Sequence, residues 1–115
     1  MAKILIIEPH AEVRELLARV VTRLGHEAVE TVDGDRGASG IDAALVEPAA
    51  RGSLELLREL YWARIPIVCV SIYPATADVL SLGPVEYLLK PFALTALERA
   101  VDAATTSRAP APLVA

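Results

Sequence analysis

Ile4-Leu5-Ile6-Ile7-Glu8-Pro9 decides how this chain is read. The four apolar residues carry no polar alternation, so the segment is expected to be a strand buried on both faces, as in a parallel sheet covered by helices. The period then changes. Val13, Leu16, Leu17, Val20, Val21 and Leu24 recur at helical spacing, with Glu12, Arg14, Glu15, Arg19 and Arg23 on the other side, which predicts an amphipathic helix. Gly25 stands where a helix C-cap is expected. A buried strand that stops on a carboxylate and passes into a helix puts that carboxylate at the carboxyl edge of the sheet, where α/β folds gather their chemistry.

The same alternation continues outward. A weaker strand is expected near 28–32, then a turn at Asp33-Gly34. A second helix over 35–40 would hold one or two turns at most, because Gly37 and Gly40 are poor helix formers. Residues 43–46 read as the third strand, and Leu54, Leu56, Leu57, Leu60 and Tyr61 give a third helix its apolar side. Residues 65–70 form a fourth strand, Pro74 is placed to open a short helix that Gly83-Pro84 ends, and 85–89 form a fifth strand. Leu94, Leu97, Ala100, Val101 and Ala104 line a last helix. Five strand–helix alternations with right-handed crossovers give an α/β fold, a doubly wound five-stranded parallel sheet of the flavodoxin-like kind. Glu8, Glu47, Ser71 and Lys90 all fall at the carboxyl ends of its strands.

A length of 115 residues fits one domain, expected over 1–107, with the Pro/Ala-rich 108–115 as a flexible tail. An apolar fraction of 54% is ample for its core. The net charge of −4 and an aromatic content of 4% argue against a nucleic-acid footprint or a base-stacking platform. Cys69, the one cysteine, lies in Ile67-Val68-Cys69-Val70 and reads as an inert core thiol. No run approaches the roughly 20 apolar residues that span a bilayer, and none resembles a signal peptide, so a soluble cytoplasmic protein is expected, with no membrane partner.

The block from Gly83 through Tyr87 to Lys90-Pro91-Phe92, together with the acidic ends of the first and third strands and Asp42 before the third, resembles the receiver domain of two-component response regulators over residues 3–105. In that family the first strand ends in an acidic pair that helps to hold Mg²⁺, and the third ends in a phosphoryl-accepting Asp. Here the matching positions are Glu8, Pro9 and Glu47. The resemblance also implies that Lys90 and Ser71 would face the phosphoryl group, that Tyr87 matches a switch aromatic, and that the Lys90–Pro91 bond is cis. The loop after Glu47, the second helix and the Ser71-to-Lys90 interval are shorter than the family pattern.

Proline offers no side-chain ligand, so the expectation is an atypical, phosphorylation-independent receiver with a vestigial pocket of Glu8, Pro9, Glu47, Ser71 and Lys90. It would have no catalytic residue and no cofactor, with Glu8 and Glu47 as weak Mg²⁺ candidates only. Lys90 is expected to pair with Glu47 as its counter-ion. His10 reads as a solvated loop histidine, His26 as a partner of the first helix's C-terminal end, Ser71 as structural and Trp62 as a core anchor. The expected work is protein–protein interaction in bacterial signalling, with a homodimer among the candidates. The contact face would be that of the fourth helix, fifth strand and last helix, with Glu86, Tyr87, Arg99 and the stretch from Leu97 to Val101. The alternatives are a phosphoacceptor using Glu47 with Mg²⁺, and a small-molecule-binding flavodoxin-like domain. The latter is weakened by the absence of glycine from Glu8-Pro9-His10-Ala11.

Overall fold

The computed structural model describes residues 1–106, so the expected tail lies outside them. Five strands, β1 (Lys3–Ile7), β2 (Glu27–Thr31), β3 (Ala43–Val46), β4 (Ile67–Ser71) and β5 (Glu86–Leu89), pair in parallel in the order β2-β1-β3-β4-β5. Helices α1 (Ala11–Arg23), α2 (Ser53–Trp62), α3 (Ala77–Leu80) and α4 (Leu94–Thr106) alternate with them, and a single 3₁₀ turn, Gly34–Arg36, replaces the helix after β2. None of the described helices is long and apolar enough to cross a membrane.

The period of two along each strand builds two cores. Ile4, Ile6, Ala43, Leu45, Val68 and Val70 pack against α1 and α4 through Leu17, Val21, Leu97 and Val101. Leu5, Ile7, Ala44, Val46 and Cys69 face the other way, onto Leu56, Leu57 and Leu60 of α2 and Val79 of α3. At the end of α1, Gly25 takes φ +93° and donates to the Thr22 carbonyl, while the His26 N–H donates to Val21, a glycine-capped C-terminus. The short crossover after β2 is pinned differently. The Gly34 N–H donates to the Arg51 carbonyl at 2.8 Å, and Arg51 Nη2 lies 2.8 Å from Asp35 Oδ2 and 3.3 Å from Asp33 Oδ2.

Several expectations change. Trp62 is 60% exposed rather than a core anchor, because it lies two residues, about 200°, round the helix from the buried Leu60. Leu97 and Val101 are fully buried against the sheet and cannot belong to a contact face, whereas Leu94 is exposed at the start of α4. Pro74 does not open α3; Thr76 does, its Oγ1 accepting from the Val79 N–H. His26 meets the end of α1 through its backbone N–H, which donates to Val21, while its ring Nδ1 accepts the Ala2 N–H at 3.0 Å.

Candidate functional site

The sheet order places the topological switch between β1 and β3, since the chain leaves β1 to one side and continues from β3 to the other. Ile7 pairs with Val46, so the next residues, Glu8 and Glu47, emerge side by side. Backbone bonds fix both: the Glu8 N–H donates to Thr31 at 3.1 Å and the Glu47 N–H to Ile7 at 2.9 Å. Two strands further along, the Lys90 N–H donates to the Ser71 carbonyl at 2.8 Å, just before the cis Lys90–Pro91 bond. The lysine side chain then reaches back across β4 and β3.

Its ammonium bridges both carboxylates, but unequally. Lys90 Nζ lies 2.6 Å from Glu8 Oε1 and 3.5 Å from Glu47 Oε1. The tighter partner is therefore Glu8, not the expected Glu47. The Glu8 side chain has 0% exposure and Lys90 12%, so this is a buried ion pair that satisfies a charge with nowhere else to go. Glu47 directs its other oxygen to its own loop, where Oε2 accepts the Ala49 N–H at 3.2 Å.

The second oxygen of Glu8 is also occupied. Oε2 accepts the backbone N–H of His10 at 3.0 Å and faces His10 Nδ1 at 3.2 Å. Burial pushes the Glu8 carboxyl up, but Lys90 and the two His10 donors outweigh it and hold the group below its ordinary value. His10 is thus more than a solvated loop residue. Its signal was the two-residue spacing Glu8-Pro9-His10, which lets a side chain fold back onto a preceding carboxylate. Arg14, also unassigned from sequence, closes the turn with Nη1 donating to the Glu8 carbonyl at 2.8 Å.

Of the remaining pocket residues, Pro9 contributes only ring and carbonyl. Ser71 is buried, and its Oγ accepts the Tyr73 N–H at 3.1 Å. The half-buried Tyr87 ring lies over the same loop, its hydroxyl donating to the Tyr73 carbonyl at 2.7 Å. Burial pushes that hydroxyl above its ordinary value. Glu86 and Arg99 are exposed and lie outside this cluster. Beside Glu47 and Lys90 a cleft of about 410 Å³ is lined by Pro9, His10, Glu47, Ile72, Tyr73 and Lys90, among others. Among the described residues there is no group of three or more His, Cys, Asp or Glu side chains that could hold a metal ion. The cleft presents the Lys90 ammonium, the His10 imidazole and the Glu47 carboxylate, with an apolar wall at Ile72, while Glu8 lies fully buried outside its lining.

No protein-family model matches the chain, and no curated protein matches it by sequence. Solved structures do match its shape. A signal receiver domain of a histidine kinase from Clostridium thermocellum superposes with a TM-score of 0.78 at 18% identity, over 92% of this chain and 98% of that one. The BeF₃-activated N-terminal receiver domain of RstA from Klebsiella pneumoniae gives 0.78 at 22% identity, over 91% and 99%. The receiver domain of a sensor histidine kinase from Pseudomonas aeruginosa, with magnesium in its active-site cleft, gives 0.74 at 23% identity, over 92% and 98%. The five-stranded parallel architecture of this chain is that of the two-component receiver domains.

Proposed function

We propose that the chain is a receiver-like module of bacterial signal transduction that acts by binding another protein, and that its action does not run through an acyl phosphate on Glu47. The observation that carries this reading is the Lys90 ammonium seated 2.6 Å from Glu8 and 3.5 Å from Glu47. A divalent cation that serves phosphoryl transfer needs several oxygen ligands, and it neutralises the transferring oxygens. At this site Pro9 supplies no side-chain oxygen, and the anionic pair already has an internal cation. Glu47 also carries its carboxylate one methylene further from the backbone than an Asp would, which alters the reach on which in-line positioning depends.

The surface left for recognition is the exposed part of α3, β5 and α4, including Leu80, Leu89 and Leu94 with Glu86 and Arg99 at its charged positions. Tyr87 belongs to its inner edge. The deciding experiment is incubation with Mg²⁺ and acetyl phosphate, followed by intact mass before and after mild alkali, which cleaves acyl phosphates and spares phosphoramidates. The expected result is no alkali-labile adduct. An adduct that disappears in Glu47→Gln refutes the reading.

A further inference from the structure

His10 is the group the preceding reading leaves unused. It stands at the N-cap of α1 in extended backbone, and its side chain is 78% exposed on the lip of the cleft. Its Nδ1 meets a fully buried carboxylate at 3.2 Å. Glu8 is held ionised by Lys90 and can only accept, so Nδ1 must carry the proton. The ring lone pair then resides on Nε2, which has no hydrogen-bond partner among the described residues. A carboxylate behind an imidazole fixes the tautomer, holds the ring and stabilises positive charge that develops on it. The donors nearby are suited to an anion. α1 has no side-chain cap, and its first intrahelical bond is Arg14 N–H to the His10 carbonyl, so the N–H groups of Ala11, Glu12 and Val13 have no partner within the helix.

We propose that His10 Nε2 is a nucleophile that accepts a phosphoryl group from a small phosphodonor, with Glu8 as its positioning residue. The step balances without a metal and without an external base. The Nε2 lone pair forms the new N–P bond as the donor's own bond to phosphorus breaks; with phosphoramidate the amine departs as ammonia. No proton leaves the ring, because Nδ1 keeps its proton on Glu8, and the positive charge gained by the imidazole faces that carboxylate. The product is a phosphoramidate of histidine. It is chemically distinct from an acyl phosphate on Glu47, so this inference and the preceding one fail separately.

The test treats the intact protein with phosphoramidate in EDTA and follows the phosphoryl adduct by intact mass, with ³¹P NMR to assign the nitrogen. The expected result is one acid-labile, alkali-stable adduct on Nε2 of His10. It should form about tenfold or more faster than on N-acetylhistidine amide, the size typical of losing a carboxylate behind a histidine. It should be absent in His10→Gln, an exposed substitution that leaves the core untouched, and slowed in Glu8→Gln. Because Glu8→Gln perturbs a buried pair, its rate is read only if its circular dichroism matches the parent; the comparison with N-acetylhistidine amide decides the question otherwise. A rate equal to that of the free amide, an adduct on His26, or one that survives His10→Gln overturns the proposal.

Discussion

Replacing Lys90 by Met removes the ammonium and keeps most of the apolar stem, so the loss isolates charge. The Glu8 side chain has 0% exposure and that of Glu47 8%, and water cannot rehydrate them fully once Nζ is gone. Breaking one side of a buried pair costs about 3–5 kcal/mol, because the stranded carboxylate must be protonated or desolvated alone. For a domain of this size that corresponds to a Tm lowered by roughly 12–20 °C. Urea unfolding followed by far-UV circular dichroism measures it; Trp62 is already exposed and reports unfolding poorly. The partner is identified by a double-mutant cycle. Glu8→Gln should recover much of the loss in the Lys90→Met background, whereas Glu47→Gln should recover less, since its contact is 3.5 Å against 2.6 Å. An unchanged midpoint in Lys90→Met, or larger coupling to Glu47 than to Glu8, refutes the reasoning.

Further outcomes follow from the same geometry. The Glu8 carboxyl is held below its ordinary value in the folded state, so its stabilising contribution is present above that value and disappears as pH falls through the folded one. Glu8→Gln should therefore be less stable than the parent near neutrality and show a shallower loss of stability under acid, measured by urea midpoints at stepped pH. Cys69 is fully buried, and burial, then the Glu47 charge, pushes its thiol up to about 12. It should ignore a thiol reagent in the native protein and react at the rate of unfolding. Gly34→Ala should cost about 1–3 kcal/mol, read as a lowered urea midpoint, because the new Cβ would lie 2.3 Å from the Gly52 carbonyl oxygen and backbone must shift. Glu86→Lys and Arg99→Glu should change self-association in sedimentation without lowering Tm; a change in Tm would mean these charges serve the fold.

Much of the fold was legible because its signals are local. An unbroken apolar run such as residues 4–7 can be buried on both faces only between helices, and the stripe from Val13 to Leu24 needs no partner to declare its period. The boundaries were harder where two weak signals competed. Pro74 is a permitted first helical residue, yet Thr76 carries the hydroxyl that satisfies an N-terminal N–H, and the capping bond decides where α3 begins. Trp62 misled because a large apolar ring promises burial, while burial on a helix depends on angle, and its position two residues beyond Leu60 turns it from the sheet. The site was legible as a set of residues and illegible as a set of bonds. Strand order brings Glu8, Glu47, Ser71 and Lys90 to one edge, but which carboxylate receives the ammonium depends on how far a four-carbon stem reaches across two intervening strands. No spacing in the sequence encodes that distance. The same holds for His10, whose residue type predicts little until a buried carboxylate is found against one of its nitrogens. Once Glu8 is charged and bonded to Lys90 it can only accept, so the imidazole turns a protonated Nδ1 to it, and Nε2 is the atom the proposed phosphoryl transfer would use.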